Sequence, residues 1–194
     1  MSSSATSIAP PATLPTPAAL AGQLQELQSR VQRIEGAQPK DKLSLFVFSG
    51  DMDKLIAAFI IATGAAAMGT QVTMFFTFWG LNAVKRARIN KGKTFWEKVL
   101  SWMTPKGPDS VPTSNMNMLG AGPIFFKMMM GKKNMQTLPQ LVQLAADLDV
   151  DMYGCQTSMD IMGVRQEELL ETMKFCGVAA FLGEANESRN IMFI

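Results

Sequence analysis

The residues best suited to chemistry surround Cys155, in the stretch Tyr-Gly-Cys-Gln-Thr-Ser-Met-Asp at positions 153–160. The apolar run 150–153 predicts the end of a strand, and the small polar residues that follow predict a turn or a helix N-terminus. Backbone N–H groups and a helix dipole there can stabilise a thiolate. The chain has no histidine, which excludes a His-activated nucleophile. The structural alternative is a small buried residue at a strand end, a common role for free cysteine.

The second cysteine, Cys176, stands between Phe175 and Gly177. A helix predicted over 166–175 would place it at a helix C-terminus, where the dipole opposes a thiolate. We therefore expect a packed core residue, with a resolving thiol as the alternative.

A third polar group, Ser49-Gly50-Asp51, follows the first predicted strand. Asp51 or Asp53 is expected to cap the next helix, although both could point into a cleft. The group is a weak candidate for a phosphate loop, because it lacks the full glycine pattern and its aspartate would repel phosphate.

Composition narrows the class of protein. The 194 residues suit one domain plus a tail, and 47% hydrophobic content supplies a core. A net charge of +2 gives no indication of nucleic-acid binding, and 2 cysteines without histidine exclude the usual zinc site. Cys155 and Cys176 could form one disulfide, but free thiols fit a cytoplasmic protein better. Prolines interrupt the N-terminal apolar residues, so no signal peptide is predicted. The 16 methionines favour an adaptable apolar region, either buried or facing a partner.

The N-terminal region is predicted to lie outside the domain. Residues 1–17 are rich in Ser, Ala, Thr and Pro and are expected to be disordered. Residues 18–36 carry apolar residues at alternating spacings of four and three, typical of an amphipathic helix or a short coiled coil between protomers. Two heptads are marginal alone, so both alternatives stay open.

Alternating strands and helices fill the rest of the chain. Strands are predicted at 43–48, 71–78, 150–153, 178–182 and 190–194, with helices at about 53–68, 81–90, 137–148, 166–175 and 184–189. This alternation predicts an α/β fold with a mostly parallel sheet covered on both faces. The carboxyl ends of its strands, where such sheets bind ligands, would carry Ser49, Gly50 and Cys155.

Two regions allow a membrane interpretation. Residues 55–84 form a run without a charged residue, and a run of this length can span a bilayer. A break at 69–71 favours a buried βαβ unit instead. An insertion at about 85–133 is basic in its first part and rich in Met and aromatic residues over 116–130. It is expected to form a solvated basic helix and a lid packed on the core. The alternatives are a mobile cover over a pocket, or a docking surface for an acidic partner or membrane headgroups.

Three segments resemble the DsrE/DsrF-like family, in particular its larger branch, often labelled peroxiredoxin-like. They are Leu-Phe-Val-Phe-Ser-Gly-Asp-Met-Asp-Lys at 45–54, Gly-Cys-Gln-Thr-Ser-Met-Asp-Ile-Met-Gly at 154–163, and Gly-Val-Ala-Ala-Phe-Leu with Ile-Met-Phe-Ile at the C-terminus. The resemblance covers roughly 41–194. It implies a flavodoxin-like three-layer sandwich, usually oligomeric, without a cofactor.

The resemblance further implies sulfur trafficking. Cys155 would hold sulfane sulfur as a persulfide, or a thiosulfonate, and pass it to a small sulfur-carrier or rhodanese-like partner. Such a thiol needs donors for an anionic terminal sulfur; Gly154, Gln156, Thr157 and Ser158 surround it, and Ser49 and Gly50 lie on the same edge. Asp160, if close, would raise the pKa of the thiol. The residues leave open whether the protein is a sulfurtransferase, a sulfur carrier, an oligomeric scaffold or a membrane-associated protein.

Overall fold

The structure, a computed structural model, describes residues 17–36, 40–115 and 120–194. The chain divides into two compact units between Gln38 and Pro39. The first unit contains helix α1 (Pro17–Gly36), all of whose residues are exposed. The tail predicted to be disordered lies outside the described residues, apart from Pro17, which begins α1. Pairing of α1 with another protomer stays a prediction.

The second unit is built on a five-stranded sheet. Its strands are β1 (Lys40–Val47), β2 (Gln71–Phe76), β3 (Asp151–Cys155), β4 (Lys174–Cys176) and β5 (Ser188–Phe193). They lie in the order β4-β3-β2-β1-β5, and every neighbouring pair is parallel. The predicted α/β class with its parallel sheet is therefore confirmed.

Helices cover both faces of the sheet. The described helices of this unit are α2 (Met52–Ala67), α3 (Phe95–Met103), α4 (Ala121–Lys132), α5 (Leu138–Asp147), α6 (Gln156–Met162) and α7 (Val178–Asn186). α2 and α5 pack together on one face, over alternate residues of β1 and β2 such as Leu45 and Met74. α7 covers the opposite face, where Phe46 and Phe75 point. We call this second surface the α7 face.

Local sequence explains most of these elements. β2 is buried from Val72 to Phe76 because a central parallel strand packs against helices on both sides. α5 begins with a capping box between Thr137 and Gln140, and Pro139 occupies its first turn. α2 has no charged residue after Lys54, and one face of it, with Leu55, Ile56 and Phe59, is buried against the sheet. No helix in the described ranges is long and apolar enough to span a membrane.

The C-terminal third contains two wrong predictions. Instead of the predicted helix 166–175 there is a short 3₁₀ turn (Gln166–Glu168), followed by β4. The predicted strand 178–182 is instead the first part of α7. The end of α7 coincides with the first half of the predicted helix 184–189, whose last two residues belong to β5. Short apolar runs do not distinguish a strand from a buried helix. Tertiary bonds, such as the one from Leu170 N–H to the Val84 carbonyl at 3.0 Å, overrode helix propensity before β4.

The segment predicted as an insertion, which we continue to call the insertion, also differs from its prediction. A 3₁₀ segment (Phe78–Val84) replaces the start of the predicted helix 81–90, and Lys85 then forms an antiparallel bridge with Leu169. α3, which begins with a Thr94–Glu97 capping box, and α4 follow. Residues 116–119 of the Met-rich segment lie outside the described residues. The expectation of a wholly solvated basic part is wrong, because Lys85 and Lys93 are buried.

Candidate functional site

The predicted site residues share the carboxyl edge of the sheet but fall into two groups. Ser49 and Gly50 follow β1, whereas Cys155 ends β3 and Cys176 ends β4. β2 lies between β1 and β3. With strands about 4.8 Å apart, β1 and β3 are separated by about 10 Å. The two groups therefore share only the carboxyl edge of the sheet. Cys155 and Cys176 form one group, and Ser49 and Gly50 form the other.

Cys155 is the last residue of β3 and occupies the N-cap position of α6. It packs in a cluster on the α7 face with Phe75, Phe181 and Ala185. Its side chain is only 5% exposed. Phe181 and Ala185 belong to α7, so this helix contributes to the burial of the thiol.

Cys176 is the more exposed of the two free cysteines. Burial is the main cause that raises the pKa of its thiol; the charges of Cys155 and Glu184 raise it further, and a hydrogen bond with the Phe181 backbone acts in the opposite direction. The predicted helix C-terminus was wrong, since Cys176 ends β4 and leads through Gly177 into the N-terminus of α7. No pattern in the sequence indicates this position, because the flanking residues favour a helix before Cys176 and a strand after it.

The neighbours of Cys155 have different surroundings. Gln156 and Thr157 are exposed at the start of α6, whereas Ser158 is buried and its hydroxyl lies 2.7 Å from that of Thr77. Gly154 faces the opposite side of the sheet from Cys155, where a Cβ would come within 3.1 Å of the Phe175 ring. The groups beside Cys155 that are open to solvent are therefore Gln156 and Thr157.

Ser49 and Gly50 line a cavity of about 470 Å³ between the loop after β1 and the insertion. Asp51 does not cap α2 with its side chain. Its carboxylate instead accepts hydrogen bonds from the Ser49 hydroxyl at 3.1 Å and the Lys54 ammonium at 2.7 Å. Trp79, directly beside Gly50, also lines the cavity. This cavity is a second region of the edge, separate from the cysteine pair.

Asp53 of α2 holds the insertion in place through hydrogen bonds with Ser114. Its carboxylate accepts hydrogen bonds from the backbone N–H of Ser114 at 2.9 Å and from the Ser114 hydroxyl at 2.5 Å. Burial acts to raise the pKa of Asp53, but these hydrogen bonds outweigh it and the pKa is lowered. Beside them, Phe125 and Phe126 of α4 line a cavity of about 350 Å³. Asp53 is therefore committed to a structural contact rather than to the cysteines.

A buried group of charges went unrecognised in the sequence. Lys93 and Glu168 form an ion pair in which both side chains are almost fully buried. Lys85 donates to Asn82 Oδ1 at 2.8 Å, and burial lowers its pKa to about 8. Lys85 and Lys93 appeared only as part of a basic run, which usually indicates a solvated surface. Within the described residues, no group of three or more Cys, Asp or Glu side chains is arranged to hold a metal ion.

The sequence over residues 39–193 matches the family model described as the DsrE/DsrF/DrsH-like family. This chain belongs to that family. It is 43% identical over 154 residues to the uncharacterized protein YrkE of Bacillus subtilis, covering 79% of this chain and 96% of YrkE. It is 28% identical over 166 residues to the sulfur carrier protein DsrE2 of Allochromatium vinosum, covering 79% of this chain and 98% of that protein.

A solved structure supports the same fold. The crystal structure of the YchN protein from E. coli superposes with a TM-score of 0.50 at 10% identity, covering 79% of this chain and 98% of YchN. At that identity the likeness establishes the fold alone. The fold inferred from the sequence is thereby confirmed, and the family model confirms the family resemblance.

Proposed function

We propose that this protein is a sulfur carrier that holds sulfane sulfur, as a persulfide or a thiosulfonate, on Cys155. The observation that carries the proposal is the position of Cys155 at the carboxyl end of β3 in a chain of the DsrE/DsrF/DrsH-like family. A relative that covers most of this chain is a sulfur carrier protein. A thiol that carries sulfur must stay reduced between cycles, which fits the cytoplasm.

Burial of Cys155 has a chemical advantage. A persulfide is reactive toward thiols in solution, and the cluster of Phe75, Phe181 and Ala185 shields the inner sulfur from them. The exposed Gln156 and Thr157 mark the side from which the terminal sulfur can be reached. We infer that a partner approaches over α6 and the N-terminal end of α7, and that the acceptor is a small sulfur-carrier or rhodanese-like protein.

The experiment is sulfur loading followed by intact mass measurement. Reduced protein is incubated with polysulfide, tetrathionate or thiosulfate, alongside Cys155→Ser and Cys176→Ser. We expect a reducible sulfur adduct on the wild type and on Cys176→Ser, and none on Cys155→Ser. If no donor produces an adduct although iodoacetamide still alkylates Cys155, the carrier proposal is wrong. Loaded protein mixed with a single-cysteine sulfur-carrier protein then tests onward transfer.

The edge strand β5 supports a homo-oligomer. Its side chains Ile191, Met192 and Phe193 are exposed, and Phe193 stacks on Phe46 with ring centroids 5.1 Å apart. An unpaired edge strand is a template for pairing with another chain, and exposed apolar patches mark interaction sites. We propose that a second copy covers them. Sedimentation of the wild type and of Ile191→Lys tests this; an unchanged monomer in both would contradict it.

The insertion favours a second candidate, peripheral membrane association. On α3, Phe95, Trp96 and Trp102 are each at least 70% exposed, and on α4 Ile124 is equally open. Exposed tryptophans combined with nearby lysines are typical of helices that lie in a membrane interface. Co-sedimentation with vesicles containing anionic lipid tests this interpretation. Trp96→Ser combined with Trp102→Ser should abolish binding, and absence of wild-type binding would exclude it.

A further inference from the structure

The two cysteines are direct partners across neighbouring strands. Cys155 of β3 and Cys176 of β4 form the last pair in the parallel register. Paired residues on adjacent strands project to the same face of a sheet. The pair two residues earlier shows this with side chains, because the Lys174 ammonium lies 5.7 Å from the centroid of the Tyr153 ring. Both thiols therefore belong to the α7 face.

Their separation suits reversible bond formation. Adjacent strands are about 4.8 Å apart, within the range of about 4.4–6.8 Å that disulfides require between Cα atoms. Cβ atoms in disulfides are about 3.8 Å apart, so the strand ends must approach one another slightly for the bond to close. A disulfide closed against such resistance is more easily reduced than a relaxed structural one. The short β4, at the edge of the sheet, ends at Cys176 and can make that adjustment.

Electrostatics and packing agree with this proximity. The charge of Cys155 is among the causes that raise the pKa of the Cys176 thiol. Cys176 also packs against the cluster of Phe75, Phe181 and Ala185 that surrounds Cys155. Each thiol is free, and Cys176 is the more accessible. The arrangement is a buried sulfur-holding thiol with a second thiol beside it.

We propose that Cys155 and Cys176 form a redox-active dithiol, in which Cys176 resolves the sulfur held on Cys155 and releases it as sulfide. The sulfide-releasing role rests on the proposed carrier function, whereas the dithiol itself does not. Partner transfer and internal release are then two fates of the same persulfide.

The resolving step needs no reactant other than the Cys155 persulfide and the Cys176 thiol. The Cys176 sulfur attacks Sγ of the Cys155 persulfide, a bond forms between the two Sγ atoms, and the bond to the terminal sulfur breaks. The electron pair leaves with the terminal sulfur, which also takes the proton of the Cys176 thiol and departs as HS⁻. The sulfane sulfur is reduced by two electrons, and the two cysteines are oxidised to a disulfide. An external dithiol reductant restores both thiols.

The first arm of the test contains no sulfur donor. Reduced full-length protein is treated with diamide, residual thiols are alkylated, and the mass and peptide map are recorded. We expect an intramolecular Cys155–Cys176 disulfide that dithiothreitol reverses, while Cys155→Ser and Cys176→Ser each keep one alkylatable thiol. Two alkylatable thiols in oxidised wild type, or only intermolecular disulfides, would overturn the dithiol.

The second arm starts from protein loaded with polysulfide and freed of excess donor. Wild type should release one sulfide for each disulfide formed, and the persulfide of Cys176→Ser should last about tenfold longer or more. Equal persulfide lifetimes in the two proteins would overturn the resolving role while leaving the carrier function intact. A disulfide in the first arm, with neither persulfide on Cys176→Ser nor sulfide release from wild type in the second, would instead reject the carrier function and retain the dithiol.

Discussion

The hydroxyl groups of Thr77 and Ser158 share a 2.7 Å hydrogen bond, and both side chains are buried. Thr77 directly follows β2, and Ser158 lies in the first turn of α6, three residues after Cys155. The bond therefore joins the carboxyl end of the central strand to the helix that begins at the candidate sulfur-binding residue. It gives Ser158 a positioning role in addition to the substrate contact predicted for it.

We expect Ser158→Ala to lower the free energy of unfolding by about 1–3 kcal/mol, because it leaves the buried Thr77 hydroxyl without its partner. Urea unfolding measures the change. Thr157→Ala is the matched control, since Thr157 is the exposed neighbour on the same turn and should cost less than about 0.5 kcal/mol. Adding Thr77→Val to Ser158→Ala should recover part of the loss. Equal stability of the two single variants would contradict a structural role for the bond.

The sequence predicted the fold better than it predicted the site. The apolar runs that became β1 and β2 are long and β-rich, and Cys155 was expected at a strand end that the structure does contain. For Cys176 the sequence indicates a resolving thiol only as the alternative, because its position beside Cys155 depends on β4, a three-residue strand with no pattern of its own. Periodicity needs several residues before a strand can be distinguished from a loop.

Buried charges were missed for a different reason. Lys93 and Glu168 are far apart in sequence, and each stands among other polar residues. From their sequence neighbours alone, both residues are expected on a solvated surface, and only the folded chain brings them together. Pairing is what makes burial of both charges tolerable, because an unpaired buried charge is strongly unfavourable.

Glu168→Gln should destabilise the protein by about 3–5 kcal/mol, since it leaves the Lys93 ammonium buried without a counter-charge. Glu171→Gln provides the comparison, because the Arg86–Glu171 ion pair is exposed and such pairs contribute less than about 1 kcal/mol. Thermal and urea unfolding of both variants measure the difference. If Glu168→Gln proved as mild as Glu171→Gln, the ion pair would have to be accessible to water in solution.

Lys85 should make stability depend on pH in the alkaline range. Burial lowers its pKa from 10.5 to about 8, with Lys93 and Arg88 acting in the same direction and Glu168 in the opposite one. Below about pH 8 the residue is charged in both states, and the penalty for burying that charge is complete. Between about 8 and 10.5 the unfolded chain holds the proton and the folded chain does not, so stability rises with pH.

The measurement compares unfolding free energies of wild type and Lys85→Met from pH 7 to 9.5, with both cysteines replaced by serine so that no thiol titrates. Above pH 8 the unfolding free energy of the wild type should rise relative to that of Lys85→Met by up to about 1.4 kcal/mol per pH unit. Lys54→Met is the control, because Asp51 raises the pKa of Lys54 and the wild type should gain nothing on that variant in this range. Parallel curves for wild type and Lys85→Met would show that Lys85 is not desolvated.

Gly80 sets how closely the loop after β2 approaches β1. Its N–H donates to the Phe48 carbonyl at 3.0 Å, and a Cβ at this position would overlap the Val47 carbonyl oxygen. Because that oxygen is backbone in a buried strand and cannot move aside, Gly80→Ala should cost about 1–3 kcal/mol or more. It should also disturb the neighbouring loop that holds Ser49 and Gly50.

Gly183→Ala is the matched control for Gly80→Ala. Gly183 lies in α7 with no atom within 4 Å of its would-be Cβ, so alanine there should stabilise the protein by about 0.5–1 kcal/mol through helix propensity. Urea unfolding of the two variants should therefore give changes of opposite sign. A neutral Gly80→Ala would mean that the loop after β2 is held less tightly against β1 than the structure shows.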